Sequence, residues 1–471
     1  MKRTLVAIAI TAFVAGCAVT QPVPPKLDLP PGTATDAQNA LLERWWTAFD
    51  DPVLNALVDE ALANNLDLRA ALARIEAARS QVLLAQSNLV PSVNLLGNAN
   101  RNRISGATSP PQPPGTALTS NDFGLSGSLS YELDVWGKYR SGLLASTNEL
   151  TASRYYRETV RISVAADVAS TYFRLRAADA ELALLQDTLR LRTETVQLQR
   201  DRFDGGLIGE YDLRTAEAER SAVVADIARA QKAIGLLESA LATLTGRSPR
   251  AVFAPDVARG ASIEAATAVP QLPAGLPSGL IERRPDIRRS EALLAASDLR
   301  IQEARANYFP ALTLTGAYGV ESAVLSSLFT GPAGIWNIGL GLVQPLLGLK
   351  AIESQVELAT ARRDQTIVEY GQTVQTAFRE VHDALVSHRS AREALAAETE
   401  RRDQIKVAYE VAMLRYEAGR TSFLEVIDAQ RTLLVADTLR LGAARDAKLS
   451  IVDFAKALGG GWSPGEFAAA R

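Results

Sequence analysis

The chain of 471 residues contains an internal repeat, and this repeat constrains the fold more than any other feature of the sequence. Residues 167–246 align without a gap on residues 380–459, and residues 67–97 align without a gap on residues 286–316. Chance does not preserve register over such lengths. A repeat unit of about 200 residues also exceeds the periods of solenoid proteins. We therefore predict a two-fold duplication in which both halves fold in the same way.

The two halves match closely in a short stretch that contains glycine and lies between helical segments. Residues 202–213 align on residues 415–426. An aromatic residue, a glycine and an acid recur at equal positions: Phe203 and Tyr416, Gly206 and Gly419, Asp212 and Glu425. A glycine after a long Pro-free helix marks the end of that helix. We predict two helical hairpins with tips at 203–209 and 416–422.

Each half is predicted to pair one very long helix with shorter ones. Residues 139–202 contain no Pro and one Gly, and sixty-odd helical residues span roughly 95 Å. The return helices, 210–245 and 422–458, are about half as long. In the second long helix, apolar residues step by three and four, as in packed helices. This seam consists of Ile367, Tyr370, Val374, Ala377, Val381, Ala384, His388, Ala391 and Leu395.

Four segments of roughly ten residues alternate between apolar and small or polar residues, which predicts strands. They cover residues 91–100, 122–135, 310–320 and 334–345. A soluble antiparallel sheet and an outer-membrane β-barrel both produce this alternation. The scarcity of charge and the N-terminal signal favour the barrel. Because four strands cannot close a barrel and lipid does not tolerate an open edge, several chains would have to share it.

The N-terminus has the pattern of a secretory signal. Basic residues at positions 2 and 3 precede a short apolar core, and Cys17 is the only cysteine. Small residues directly before this Cys are typical of bacterial lipoproteins, so we predict a signal peptide at 1–16 and lipid attachment at Cys17. An ordinary signal peptide that contains a Cys is the alternative. Residues 17–40 would form the lipidated N-terminus and an extended, Pro-rich tether.

The remaining domain boundaries follow from the repeat and from composition. The first repeat covers 41–250, a linker or equatorial belt covers 251–275, the second repeat covers 276–460 and a tail covers 461–471. Trp45 and Trp46 are interpreted as packing anchors rather than as a ligand cage. We predict a location in the bacterial outer membrane, anchored by lipid and extending into the periplasm.

Composition and motifs exclude several functions. The net charge is −3, which gives no reason to expect a nucleic acid partner. We find no phosphate loop, no nucleophile turn and no Cys/His cluster with metal spacing, so no enzyme, cofactor or metal is expected. The two histidines, His382 and His388, are six residues apart. We interpret His388 as a packing or pore-lining residue because it lies on the apolar seam.

The motifs of this chain together resemble those of the TolC-type outer-membrane factor family, and in particular its lipidated efflux branch (RND-associated, NodT-like lipoproteins). Besides the hairpin tips, the resemblance rests on residues 45–46 with 51–52, 131–137, 282–288 and 307–310. It implies an α+β membrane protein with an internal two-fold repeat. It also implies a homotrimer whose shared β-barrel, with four strands per chain, continues into a long α-helical periplasmic barrel.

The same resemblance implies a function and its residues. Such channels are passive exit ducts that work with a periplasmic adaptor (membrane fusion protein) and an inner-membrane transporter. The implied periplasmic gate consists of Glu425, Asp428, Asp212 and Tyr416. The implied adaptor-contacting tip consists of Phe203, Gly206, Tyr416 and Gly419. This chain departs from the family pattern in two ways: Glu425 stands where Asp is commoner, and Thr421 stands where some members carry a gating Arg.

Three functions stay open from the sequence. The first is the outer-membrane exit duct of a tripartite efflux pump for small toxic compounds or drugs. The second is an outer-membrane duct for type I protein secretion, which has the same architecture. The third is a lipoprotein scaffold in the periplasm that has no pore. At the tip, the three acids could equally be plain surface residues that follow a turn.

Overall fold

The computed structural model of the protein describes residues 43–107, 113, 115, 117–265 and 283–462. The predicted signal peptide, Cys17, the tether, linker residues 266–275 and tail residues 463–471 lie outside the described residues.

Long helices and four strands make up most of the described chain. The helices are α1 Pro52–Asn64, α2 Leu66–Ser87, α3 Lys138–Asp204, α4 Glu210–Leu244, α5 Pro249–Phe253, α6 Pro285–Ala306, α7 Leu349–Glu417 and α8 Phe423–Ala457. The strands are β1 Ser92–Arg103, β2 Thr119–Glu132, β3 Ala311–Ser322 and β4 Gly334–Val343. Within the described ranges, no helix combines the length and apolar character needed to cross a membrane.

The chain divides into two compact units, which alternate along the sequence. The strand unit contains residues 74–153 and 289–370, and therefore all four strands. The helical unit contains the described residues of 43–73, 154–288 and 371–462, and therefore both hairpin tips.

The strand unit is built around one antiparallel sheet with strand order β1-β2-β3-β4. Leu95, Gly127, Tyr318 and Trp336 pair in one row across all four strands, so they share a face. Trp336 on this face is 74% exposed, and Leu95 and Tyr318 in the same row are 77% and 78% exposed. The alternation in the sequence therefore places apolar side chains on an open face of the sheet.

The chain leaves β2 through a capped turn into α3. Asp134 accepts hydrogen bonds from the backbone N–H groups of Tyr139 (3.0 Å) and Arg140 (2.9 Å). These bonds satisfy donors that the first turn of a helix leaves free. The indole N–H of Trp136 donates to the carbonyl of Pro310 at 2.8 Å, and its ring stacks on Phe309. The predicted second strand therefore stops at Glu132 because Asp134 already serves the helix.

The core of the helical unit lies where α1 packs against α3. Asp51 caps α1 by accepting from the N–H groups of Val53 and Leu54. The buried hydroxyl of Tyr172 on α3 donates to the same carboxylate at 2.7 Å. Burial, together with Asp51, raises the pKa of Tyr172. Asp51 therefore caps α1 and also connects α1 to α3 through a hydrogen bond.

Two interpretations of single residues can be checked in this core. Trp46 is 1% exposed and lies with Trp45 in the main apolar cluster, in agreement with a packing role. His388 is also buried, and its Nδ1 lies 3.0 Å from the hydroxyl of Ser450. Burial lowers the pKa of His388, since a charged imidazole would lose its hydration there. Both residues contribute to packing.

Candidate functional site: the two hairpin tips

Both tips begin with the same backbone turn. Gly206 and Gly419 have φ angles of +70° and +67°, in the left-handed region that favours glycine. Each glycine N–H donates over 2.9 Å to a carbonyl three residues earlier, and the next N–H donates over 2.8 Å to a carbonyl five residues earlier. This pair of bonds is the Schellman motif, which ends a helix by satisfying its last carbonyls. The turn residues are 205–209 and 418–422, between the ends of the flanking helices.

The second tip is followed by buried apolar residues. Phe423, Val426 and Ile427 lie on the first turns of α8, and they pack with Val196 of α3 and Ala216 of α4. This small cluster, which we call the tip core, joins the second hairpin to the first. The ring of Tyr416 packs against it, with centroids 5.7 Å from Phe423.

The predicted gate acids lie on the opposite face of α8. Glu425 and Asp428 are exposed and one helical turn apart, so their carboxylates are neighbours. The hydroxyl of Thr421 donates to Glu425. Within the described chain, neither acid has a basic side chain at salt-bridge distance. Two carboxylates without an ion-pair partner therefore lie together directly after the second turn.

The first tip carries its acids differently. Glu217 of α4 accepts from Arg200 at 2.6 Å and from Arg214 at 3.1 Å, and Arg214 also binds Glu210. These hydrogen bonds from the two arginines hold the pKa of Glu217 below its usual value. All four side chains belong to the first hairpin. These surface acids are thus neutralised locally, in contrast to those of the second tip.

Asp212 and Tyr416, the two remaining gate candidates, are not bonded to each other. Asp212 is half-buried, and its carboxylate has no hydrogen-bond partner among the described residues. The hydroxyl of Tyr416 instead accepts from Nη1 of Arg202 at 2.6 Å and from Nε2 of Gln199 at 3.0 Å. Arg202 and Gln199 belong to α3, so these two bonds connect the first hairpin to the second.

A second polar contact joins the hairpins through Glu219 of α4, which is mostly buried, and Arg431 of α8, which is half exposed. Arg192 lies 3.2 Å from Glu219, and its side chain is 4% exposed. Arg431 donates to the other oxygen of the same carboxylate at 2.7 Å. Burial lowers the pKa of Arg192, and the charge of Glu219 opposes this shift. We call this arrangement of Arg192, Glu219 and Arg431 the arginine brace.

The sequence did not point to these contacts. The counterpart of Gln199 in the second half is Ala412, and the counterpart of Arg192 is Ile405, so the repeat does not mark these two residues, although Arg202 is matched by Arg415. Arginine and glutamine on a long helix are usually solvated residues. Only the packing of the two hairpins shows that their polar ends meet Tyr416 and Glu219.

The residues predicted to contact an adaptor lie at the surface of the tips. Phe203 is partly exposed, and both turn glycines are exposed with open space around them. Leu207, next to the first glycine, is 77% exposed. No group of three or more potential metal ligands occurs in the residues that the structure describes.

The open sheet with an apolar face, the long paired helices and the acidic tip define the class of protein: an outer-membrane channel with a helical extension. Comparison with known proteins gives the family. The family model described as outer membrane efflux protein matches residues 57–247 and 276–460. The chain belongs to the outer membrane efflux protein family.

Individual relatives match over almost their whole length. The toluene efflux pump outer membrane protein TtgC of Pseudomonas putida is 30% identical over 473 residues, 98% of this chain and 96% of the relative. The probable outer membrane lipoprotein SilC of Salmonella typhimurium is 30% identical over 470 residues, 98% of this chain and 99% of the relative. The Campylobacter jejuni CmeC outer membrane channel matches with a TM-score of 0.86 and 29% identity, over 95% of this chain and 97% of CmeC.

These comparisons confirm the predicted family, fold class and outer-membrane location. The fold is that of the trimeric outer-membrane channels, in which a β-barrel is combined with a helical barrel. The protein is an outer-membrane efflux channel component, and its family is a transport family rather than a class of enzymes. The roles of the individual tip residues stay predictions.

Proposed function

We propose that three copies of this chain form the exit duct of a tripartite efflux pump, a passive conduit for small toxic compounds or drugs. A periplasmic adaptor and an inner-membrane transporter deliver the compounds to it. One observation carries the proposal: β1 and β4 each pair on one side only among the described strands. Lipid does not tolerate such edges, and three copies supply twelve strands, enough to enclose a pore.

In this proposal the hairpin tips form the periplasmic entrance. Three copies of Glu425 and Asp428 bring six carboxylates into one constriction, which attracts cations. Their exposure and the lack of a salt bridge in the described chain support this role. Asp212 and Tyr416 complete the gate, while Phe203, Gly206 and Gly419, with Tyr416, contact the adaptor.

The lipid anchor is part of the same proposal. Cys17 carries the lipid and holds the N-terminus at the outer membrane, as the name of the relative SilC suggests for that protein. Replacing Cys17 by Ser abolishes labelling with palmitate if the proposal is correct, and persistent labelling contradicts it.

Recording from planar bilayers tests the duct itself. The purified full-length protein is expected to produce stable single-channel currents, and protein without conductance contradicts the proposal. Deletion of the gene distinguishes the two cargo types. Increased drug susceptibility is expected for an efflux duct, whereas unchanged susceptibility with the loss of one exported protein indicates secretion instead.

A further inference from the structure

We propose that the apolar face of the sheet carries a binding site for a phosphorylated glycolipid of the outer leaflet. In this site, Arg101 and Arg103 bind a phosphate group, and a groove on the same face holds an acyl chain. We call this arrangement the glycolipid site. It goes beyond the proposed function, because it depends neither on the gate nor on the exported compounds.

The face that carries the site is apolar over a length that suits a membrane. On β2 its side chains extend from Phe123 to Tyr131. At about 3.4 Å per residue, this stretch measures roughly 27 Å along the strand. Strands of outer-membrane barrels are tilted, so its height is about 20 Å, close to the apolar band of such barrels. Residues of this face beyond Phe123 therefore lie at the level of the lipid headgroups.

Arg101 and Arg103 of β1 occupy this level. Arg101 pairs with Asn121 and Arg103 pairs with Thr119, on the same face as Phe123. Both arginines are exposed, and neither has a hydrogen-bond or ion-pair partner within the described chain. Successive side chains on one face of a strand are about 7 Å apart, so two guanidinium groups reach one phosphate from neighbouring positions.

The connections to the helices show which leaflet the arginines face. The helices α2 and α6 precede β1 and β3, and α3 and α7 follow β2 and β4. All four connections are therefore at one end of the sheet, and Arg101 and Arg103 are at the other end. In channels of this fold the helical part extends into the periplasm. The arginines consequently lie toward the outer leaflet.

The acids at this end of the sheet lie on the opposite face. Asp122 pairs with Asn100 and Glu321 pairs with Gly124, all members of the polar face. Within the described part of this end, the apolar face therefore carries cations without acids. Such a surface attracts the anionic headgroups of lipids, and arginine binds phosphate in a bidentate manner.

A groove on the apolar face provides space for an acyl chain. It has a volume of about 460 Å³, and its floor contains Gly127 and Gly316. A Cβ at Gly127 would have its nearest neighbour 3.9 Å away, so a side chain at this position would occupy the groove. The walls are formed by apolar side chains: Val93, Leu129, Tyr318, Trp336 and Ile338.

The spacing of the two parts suits one amphiphilic molecule. Leu95 lies opposite Gly127 and is six residues from Arg101, roughly 20 Å along the strand. Between them, the positions of β1 on this face are the small residues Gly97 and Ala99. A glycolipid with phosphates on its sugars and acyl chains below them reaches both the arginines and the groove. Free phosphate would contact the arginines alone.

Binding of fluorescently labelled lipid A, a diphosphorylated glycolipid, to the purified full-length protein in detergent tests the site. The double variant Arg101→Gln, Arg103→Gln is expected to bind about thirtyfold more weakly, the effect of two cations beside anionic headgroups. The control is Asp122→Asn, Glu321→Gln, which removes as many charges at the same end but on the opposite face. It should leave the affinity unchanged. Equal affinity of wild type and the arginine variant would overturn the proposal.

Gly127→Leu tests the groove without changing a charge. The expected loss of affinity is about threefold, because only packing contacts are lost and detergent offers the acyl chain an apolar alternative. Gly341→Leu is the matched control, since it lies on the opposite face and a Cβ there has its nearest neighbour 3.7 Å away. Equal affinities of the two glycine variants would show that the groove holds no acyl chain. Melting temperatures show whether each variant is folded.

Competition identifies the source of the phosphate. Neither phosphatidylglycerol nor inorganic phosphate should displace labelled lipid A at concentrations at which unlabelled lipid A does so. Displacement by phosphatidylglycerol would indicate a general site for anionic lipids, and displacement by phosphate would indicate an ion site, so either result contradicts the proposal. A wild-type protein that conducts in planar bilayers but does not bind lipid A would exclude the glycolipid site and leave the duct intact.

Discussion

The two hairpin tips share one backbone turn, yet the residues that follow the turn differ in almost every property. After Gly206 come exposed Leu207 and Tyr211, and then arginine–glutamate pairs within the same hairpin. After Gly419 come the buried tip core and two exposed acids that form no salt bridge in the described chain. In the first tip, Glu210 and Glu217 are paired with arginines of the same hairpin, whereas the second tip is anchored on one face and acidic on the other.

This difference shows that the backbone turn is retained in both copies of the duplicated element, whereas the side chains around it vary. The turn depends on one glycine and on backbone hydrogen bonds, so both copies retain it. The surroundings depend on side chains that diverge separately. Phe423 anchors the second hairpin where its counterpart in the first is Glu210, an exposed partner of Arg214. One backbone turn is thus surrounded by different side chains in the two copies.

Truncation of Phe423 should have the largest effect on this comparison. Phe423→Ala removes a buried ring from the tip core and is expected to lower the free energy of unfolding by about 3–5 kcal/mol. Glu210→Ala, at the equivalent position of the first tip, breaks one exposed ion pair and should cost no more than about 1 kcal/mol. Thermal melting in detergent measures both. Equal losses would show that the two tips are anchored alike.

Removal of the charge at Glu219 should rank next. In Glu219→Gln the neutral amide replaces the carboxylate that two arginines share, so a loss of about 2–3 kcal/mol is expected from weakened charged hydrogen bonds. The control is Glu217→Gln, two residues away on the same helix, where both arginine partners are exposed. There we expect a clearly smaller loss, because exposed ion pairs contribute little to stability. A loss at Glu217 as large as that at Glu219 would contradict the structural role of the arginine brace.

The two turn glycines should respond equally to substitution. A Cβ at Gly206 or Gly419 meets no atom within 4 Å, so Ala is disfavoured only by the left-handed backbone. Gly206→Ala and Gly419→Ala are each expected to cost about 1–2 kcal/mol. Thermal melting of the two variants side by side checks this. A clear difference between them would mean that the turns are not equivalent, despite similar φ angles and matching hydrogen bonds.

Neutralising the acids of the second tip should change the stability least, by less than about 0.5 kcal/mol, since both are exposed. The loss of these charges should instead change the ion selectivity of the channel. The double variant Glu425→Gln, Asp428→Asn is expected to reduce the cation preference, because six negative charges leave the constriction of the trimer. Reversal potentials under a salt gradient measure this preference. Glu217→Gln on the first tip serves as the control, and equal shifts in both would contradict a special role for the second tip.

Local patterns carried most of the prediction of the fold. The four strands lie where the alternation placed them, with ends shifted by up to three residues. The second strand stops early because the chain turns there, and the side chain of Asp134 accepts from the first N–H groups of α3. The glycines that end α3 and α7 were identifiable because glycine alone adopts their φ angle without strain.

The candidate site was accessible from sequence only in part. Glu425 and Asp428 could be placed on one helix face because helical spacing relates residues i and i+3. The assignment of Asp212 and Tyr416 to the gate came from resemblance and stays a prediction, whereas the bonds from Arg202 and Gln199 to Tyr416 became visible only in the structure. Residues 199 and 416 are 217 positions apart. No local spacing relates such residues.

The duplication, the long helices, the alternating strands and the two glycine turns can all be read from the order of the residues. Each of these depends on backbone preference or on periodicity, which act between neighbours in the chain. The packing of the helices decides instead whether an arginine lies at the surface of one hairpin or binds a residue of the other hairpin. Arg200 and Arg202 differ by two positions, so they point to different sides of α3, toward Glu217 and toward Tyr416 respectively. Arg200 and Arg202 have different roles because the packing of the helices sets how exposed each side chain is and which residue it binds.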